Sequence, residues 1–193
     1  MNIHKTDTPF FSICTEVTNR EKTIRRTIES IARQSYRNFE YIIVNNQSND
    51  QSDDVIKRAL AEIPFPGVRV HYVMTDKKLS DIESWNAPIK LAKGRYVVVC
   101  EGDDWFAPDH LEKAAQVLGE NKNIGLYVAG RGDISADGWT VKYGGMQNRV
   151  SRDILVKHLR GFTFAPPPSE AIFLRVGKGG PFLYNSRMHV YAA

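Results

Sequence analysis

Short apolar runs alternate with amphipathic helical patterns along the chain, and this alternation constrains the fold more than any other feature. Five runs have the length and the β-branched or aromatic content of strands: residues 10–17, 39–46, 68–74, 95–101 and 124–130. The segments between them read as helices: residues 20–34, 52–63, 79–94 and 107–121. Strands that alternate with helices of this length form βαβ units. We therefore predict an α/β fold, with a mostly parallel sheet, helices on both faces and a single domain.

Local signals predict where some of the helices begin and end. Ile24, Ile28 and Ile31 fall on one helical face, and Asn19 is the predicted N-cap of that helix. The third helix should stop at Gly94, and Pro88 should mark a kink or a late start within it. Two more elements are expected near the end of the chain: a helix over residues 151–161 and a strand over residues 169–177.

Charge and cysteine content exclude several classes of protein. Residues 140–193 hold 8 Lys+Arg against 2 Asp+Glu, so this part could meet a phosphorylated ligand or an anionic membrane surface, or could simply be a solvated face. Nucleic acid is not an expected partner, because the basic residues form no dense cluster. No apolar stretch has the roughly 20 residues that span a bilayer, and residues 1–11 contain no apolar run typical of a signal peptide, so export is not expected. Cys14 and Cys100 sit in apolar runs, which indicates buried, reduced thiols. The predicted location is the cytoplasm or the cytoplasmic face of the membrane, as a peripheral protein.

The stretch YVVVCEGDDWF, residues 96–106, is the strongest candidate for a functional site. Its apolar run ends in Glu101, Asp103 and Asp104. Parallel strands with right-handed crossovers bring the carboxyl ends of strands to one edge of the sheet, where open α/β folds bind ligands. Carboxylate oxygens are natural ligands of Mg²⁺ or Mn²⁺, often together with substrate phosphates. The alternative is that Asp103 and Asp104 cap the next helix.

Several motifs, in order over roughly residues 10–135, resemble the family 2 inverting glycosyltransferases, which have the GT-A fold with a Rossmann-like sheet. The matching stretches are TEVTNRE (15–21), SIARQSYRNFEYIIV (30–44), NNQSND (45–50), NAPIKLAKGRY (86–96) and EGDD (101–104). The resemblance implies sugar transfer, with inversion, from a nucleotide-diphosphate-sugar donor to a hydroxyl of a saccharide or lipid-linked acceptor. It divides the chain into a donor-binding core, residues 1–138, and part of an acceptor-side region, residues 139–193.

The same resemblance assigns roles to individual residues. It places Mn²⁺ or Mg²⁺ on Asp103 and Asp104, while Trp105 is either a lid or packing beneath the site. In the family the residue at position 46 is usually an Asp that reads the base, so Asn46 puts the base preference in doubt. The residues implied for donor binding are Glu16, Thr18, Asn46, Glu101 and Asp103.

The catalytic base is the missing part of this assignment. Inverting transfer needs a group that deprotonates the acceptor hydroxyl, and family members carry an acidic motif for it beyond the DxDD stretch. Here Asp153 and Glu170 follow without such a motif, and His189 is the late group that titrates near neutrality. The chain is therefore either a truncated domain or lacks the base. A non-catalytic nucleotide-sugar-binding module is the alternative function. A nucleotidyltransferase is disfavoured, because residues 15–21 contain no glycine for a triphosphate loop.

From this inventory we expect the 193-residue chain to bind donor but to transfer sugar poorly. General-base catalysis contributes roughly 10²–10⁴-fold in rate, so its loss would spare binding and remove most turnover. Transfer and donor hydrolysis should be measured for this chain beside a version extended at its natural C-terminus. Robust transfer by the 193-residue form would contradict the expectation and make Glu170, Asp153 and His189 the first residues to mutate.

Overall fold

A computed structural model describes residues 8–120, 126–128, 133–135, 138–140 and 172–175. The helices are α1 (Ile24–Ala32), α2 (Ser52–Glu62), α3 (Asp81–Leu91) and α4 (His110–Glu120). The first four strands are β1 (Phe11–Val17), β2 (Phe39–Asn45), β3 (Arg69–Met74) and β4 (Tyr96–Val99). The later strands are β5 (Leu126–Val128), β6 (Asp133–Ser135), β7 (Gly138–Thr140) and β8 (Ile172–Arg175). No helix of the described residues is long and apolar enough to cross a membrane.

The main sheet has the strand order β3-β2-β1-β4-β8-β5, and its first four strands are parallel. This confirms the predicted mostly parallel sheet. The strand expected over residues 169–177 exists as β8, and it runs antiparallel between β4 and β5. β6 and β7 form a separate antiparallel pair. The predicted helix over residues 151–161 lies outside the described residues, as do Asp153, Glu170 and His189.

Helices cover both faces of the sheet, as the alternating pattern predicted. On one face, β1, β2 and β4 bury Ile13, Tyr41 and Val98 against apolar side chains of α1, α2 and α4. On the other face, Cys14 and its neighbours pack against Ile89 of α3. Both cysteines are buried and unbonded, and burial raises the pKa of each thiol, so both stay protonated at neutral pH. Successive side chains of a strand point to opposite faces of the sheet, so the consecutive residues Ile13 and Cys14 of β1 pack on different faces.

Two predicted helix starts need correction. The N-cap of α1 is Thr23, because the chain first makes a left-handed turn at Asn19, whose φ is 53°. The Asn19 side chain instead accepts a hydrogen bond from the backbone N–H of Asn49, at 2.9 Å. A late start of α3 at Pro88 is also wrong: the helix begins at Asp81, with a capping box between Ser80 and Glu83, and continues through Pro88.

A buried polar contact fixes where β4 enters the sheet. The Ser12 hydroxyl donates to Glu40 Oε1 at 2.6 Å and accepts from the backbone N–H of Gly94 at 2.8 Å. The N–H of Lys93 donates to the same Glu40 oxygen, at 2.6 Å. A Cβ at position 94 would lie 2.6 Å from Ser12 N and 2.7 Å from Phe11 C, so the approach of the two backbones requires glycine.

We expect Gly94→Ala to lower the free energy of unfolding by about 2–3 kcal/mol, because the methyl group meets backbone that has nowhere to move. Gly119→Ala is the matched control: it lies in α4, where the added Cβ meets no atom of the described residues within 4 Å outside the helix's own backbone, and it should stabilise the protein by about 0.5–1 kcal/mol. Urea unfolding of both variants measures this. Equal stabilities for the two would show that the Gly94 contact does not constrain the fold.

Candidate active site

The carboxyl ends of three neighbouring parallel strands bring three segments of chain to one edge of the sheet. We call them loop 1 (residues 16–21, the end of β1 and the chain after it), loop 2 (residues 45–51, the last residue of β2 and the chain after it) and the acidic segment (residues 101–104, after β4). β1 pairs in parallel with both β2 and β4, so the three segments meet. All the residues predicted for the site lie in them: Glu16, Thr18, Asn46, Glu101, Asp103 and Asp104.

The site concentrates negative charge in partly buried surroundings. Burial, followed by the charges of Asp104 and Asp103, raises the pKa of the Glu101 carboxyl to about 7, and Arg20 opposes the shift. Burial also raises the pKa of Glu16, against a hydrogen bond from the Thr18 hydroxyl at 2.5 Å. Burial is thus the main reason that these carboxyls resist ionisation, and at Glu101 the charges of the neighbouring acids add to it.

Two cations at the site, Arg20 and Lys78, were missed by the sequence analysis. Arg20 Nε lies 3.3 Å from Asp103 Oδ2, in an ion pair whose side chains are 43% and 42% exposed. Lys78 Nζ donates to the Asn46 carbonyl at 2.8 Å and to the Thr18 hydroxyl at 3.4 Å. Arg20 lies within the stretch TEVTNRE (15–21), and this position was an available signal that its side chain is near the site. Lys78 offered none, because its approach depends on the path of the chain after β3.

Gly102 lies in close contact with loop 1. A Cβ at this position would lie 3.1 Å from Arg20 Cγ and 3.2 Å from the Glu16 carbonyl oxygen. The Arg20 backbone N–H is itself held by the Ser52 hydroxyl, at 2.7 Å. Loop 1 therefore packs directly on the acidic segment, and the glycine allows the close approach.

The Asn46 side chain is buried and bonded at both ends to the chain after β3. Its Oδ1 accepts from the Leu79 N–H at 2.8 Å, and its Nδ2 donates to the Leu79 carbonyl at 3.3 Å. A carboxylate could not make the second bond, which is a physical reason for an amide at this position. The role of Asn46 in reading a base stays a prediction.

Loops 1 and 2 are joined by hydrogen bonds between side chains and backbone. Asn19 N–H donates to the Ser48 hydroxyl at 3.0 Å, and Glu21 N–H donates to Asp50 Oδ2 at 3.1 Å. In the opposite direction, the Gln51 N–H donates to Glu21 Oε2 at 2.9 Å. These reciprocal bonds hold the two loops in one arrangement and so give the nucleoside end of the predicted site a fixed wall.

The acids have the right chemistry for a divalent cation but do not form a closed cage. Among the described residues, no three His, Cys, Asp or Glu side chains are grouped so as to hold a metal ion. Mg²⁺ and Mn²⁺ accept one or two carboxylates when substrate phosphates complete the shell. Asp103 and Asp104, whose charges add to burial in raising the Glu101 pKa, are the residues that could hold such an ion. The helix-cap alternative fails, because α4 begins only at His110.

The family model described as Glycosyl transferase family 2 matches residues 12–179 of the chain. The chain belongs to glycosyl transferase family 2. This family member is 30% identical over 122 residues to the uncharacterized glycosyltransferase MJ1057 of Methanocaldococcus jannaschii, covering 62% of this chain and 41% of the relative. It is also 30% identical over 118 residues to the putative glycosyltransferase EpsH of Bacillus subtilis, covering 61% and 33%. The chain thus spans well under half the length of these relatives.

Solved structures with the same fold are glycosyltransferases of GT-A type. S. aureus TarS 1–349 in complex with UDP has a TM-score of 0.54 at 21% identity, covering 61% of this chain and 34% of that one. The mannosyltransferase PcManGT from Pyrobaculum calidifontis, in complex with GDP-Man and Mn²⁺, has a TM-score of 0.56 at 22% identity, covering 65% and 37%. At this identity the likeness confirms the predicted GT-A fold.

The raised pKa of Glu101 predicts a pH-dependent stability. Between about pH 4.5 and 7 the folded state keeps a proton that the unfolded state releases, so the contribution of this group to stability falls as pH rises through that window. Glu101→Gln removes the titration. The free energy of unfolding of the variant, relative to wild type, should therefore be higher at pH 8 than at pH 5 by on the order of 1 kcal/mol, a modest value because solvent screens part of the shift. Urea unfolding at both pH values measures it. Glu120→Gln, at the end of α4, is the control, and equal pH slopes for wild type and Glu101→Gln would contradict the prediction.

Proposed function

We propose that the protein transfers a sugar from a nucleotide-diphosphate-sugar to a hydroxyl acceptor, with inversion and with a divalent cation. The observation that carries the proposal is the acidic segment after β4, where the partly buried Glu101, whose pKa burial raises to about 7, lies in one short segment with Asp103 and Asp104. Membership of a glycosyltransferase family supports transfer over the alternative of a binding-only module. Related folds carrying UDP, UDP-GlcNAc, or GDP-Man with Mn²⁺ support this class of donor.

In the proposed complex, each wall of the site binds a different part of the donor. Glu16, Thr18 and Asn46 line the nucleoside end, and Glu101 approaches the ribose. Asp103 and Asp104 hold Mg²⁺ or Mn²⁺, which when bound supplies Lewis-acid neutralisation of the departing nucleoside diphosphate. Arg20 already lies at Asp103 and adds a second positive charge at the diphosphate end.

The acceptor side of the proposal involves residues outside the described part of the chain. A general base must take the proton of the acceptor hydroxyl as the sugar is attacked from the face opposite the leaving group. Residues 1–138 serve as the donor core in this proposal, and residues 139–193 contribute to the acceptor side. β8 ties the second part to the first by pairing with β4. The acceptor is a saccharide or a lipid-linked saccharide, and the excess of basic residues after 139 suits work at the cytoplasmic face of a membrane.

We expect Asp103→Ala and Asp104→Ala to weaken Mn²⁺-dependent binding of UDP and GDP by at least about tenfold, because each removes a metal ligand and its charge. Isothermal calorimetry with and without Mn²⁺ measures this. Asp109→Ala is the matched control. Asp109 lies just before α4 and its carboxylate pairs with Lys113, so its removal should not affect binding. If both site variants keep the Mn²⁺ dependence of the wild type, the assignment of the metal to these residues is wrong.

A further inference from the structure

The irregular stretch that follows the acidic segment runs along one side of α1 and is bonded to it. Four polar residues of α1 and its flanks make these bonds; we call them the polar face of α1, and they are Thr23, Thr27, Ser30 and Gln34. Their spacing of i, i+4, i+7 and i+11 places them on one side of a helix. Two of them, Thr27 and Gln34, are almost completely buried.

The bonds follow the chain in order. The Thr23 hydroxyl donates to the Gly102 carbonyl at 2.9 Å, and the Thr27 hydroxyl donates to the Asp104 carbonyl at 2.7 Å. Ser30 Oγ accepts from the Phe106 N–H at 3.2 Å. Gln34 donates to the Ala107 carbonyl at 2.7 Å and accepts from the Leu111 N–H at 3.0 Å. Backbone groups without a helix or strand partner are thus satisfied one after another by α1.

The first two bonds bracket Asp103. Gly102 and Asp104 are its direct neighbours, and the carbonyl of each is tied to a threonine of α1. A turn closes the same stretch, since the Asp104 N–H donates to the Glu101 carbonyl at 3.1 Å. Beyond it, the Arg26 guanidinium of α1 stacks 3.7 Å from the centre of the Trp105 ring. The backbone that carries Asp103 and Asp104 is therefore held on α1 from both sides.

We propose that Thr23 and Thr27 are positioning residues, whose hydroxyls fix the backbone of the acidic segment so that Asp103 and Asp104 can hold a divalent cation with a nucleoside diphosphate. This inference rests on the proposed function. Metal ligands must be placed within a fraction of an ångström, and an irregular segment does not have that precision by itself. The helix supplies it, because Ile24, Ile28 and Ile31 anchor α1 in the core independently of its polar face.

The hydroxyl of Thr27 can be removed without changing the size of the side chain. Thr27→Val keeps the β-branched shape and loses the bond to the Asp104 carbonyl, whereas Thr27→Ser keeps a hydroxyl. Ile28→Val, the next residue on the same helix, trims the buried core and leaves the polar face intact. This variant controls for a general loss of stability.

We expect Thr27→Val to weaken Mn²⁺-dependent binding of UDP or GDP by about five- to tenfold, the scale of one buried hydrogen bond, and Thr27→Ser to recover most of the loss. Ile28→Val should bind as the wild type does. Calorimetry with and without Mn²⁺ measures this. Equal weakening by Thr27→Val and Ile28→Val, or unchanged binding by Thr27→Val, would overturn the inference.

Hydrogen exchange of peptides covering residues 101–106 separates this inference from the proposed function, because it needs no ligand. Thr27→Val should speed exchange there, relative to wild type and Ile28→Val. If the wild type binds neither nucleotide with Mn²⁺ yet this local change occurs, the proposed function fails while the positioning of the segment stands. Unchanged exchange in Thr27→Val overturns the positioning role whatever the nucleotide result.

Discussion

The parallel pairing of β1 with β2 on one side and β4 on the other determines where the chemistry of this protein is placed. Parallel strands end at the same edge, so loop 1, loop 2 and the acidic segment are brought together by the backbone hydrogen bonds of the sheet. The opposite end of this arrangement is fixed by the hydrogen bond of Gly94 to the Ser12 hydroxyl, which is itself bonded to Glu40, and this contact helps to set the register of β4. The position of Glu101 relative to Glu16 thus depends in part on packing at the far end of the strands.

That placement brings several carboxylates together in partly buried surroundings, and the surrounding chain compensates only part of their repulsion and desolvation. Desolvation and the neighbouring carboxylates raise the pKa of Glu101 to about 7, and the ion pair between Arg20 and Asp103 is exposed enough for water to weaken it. The polar face of α1 does not change this charge balance, because hydroxyls that donate to backbone carbonyls add no charge. It restrains the backbone against the repulsion. A divalent cation at Asp103 and Asp104 would relieve the charge itself, which is why geometry and charge point to the same kind of ligand.

The sequence was sufficient for features that depend on local periodicity and chain order. Strand and helix types, the two-sided sheet and the edge that gathers Glu16, Asn46 and Glu101 were all predicted from spacing. The place of β8 between β4 and β5 was not predicted, because the residue pattern of a strand does not determine which strands it pairs with. Thr23 and Thr27 gave no signal either: threonine is an ordinary residue in a helix pattern, and its role appears only when a distant carbonyl lies beside it.

Loop 2 and the acidic segment are held by different parts of the molecule, and this bears on how the site responds to substitution. Loop 2 is fixed to loop 1 through Ser48 and Asp50, and to the chain after β3 through the amide of Asn46. The acidic segment is fixed to α1. Changes at separate, non-contacting positions usually have additive effects, so substitutions in loop 2 and in the acidic segment should act largely independently. Arg20 is the exception, because its backbone is bonded to Ser52 while its side chain pairs with Asp103. A substitution at Arg20 should therefore affect both loop 2 and the acidic segment, which makes Arg20 a direct structural link between these two parts of the site.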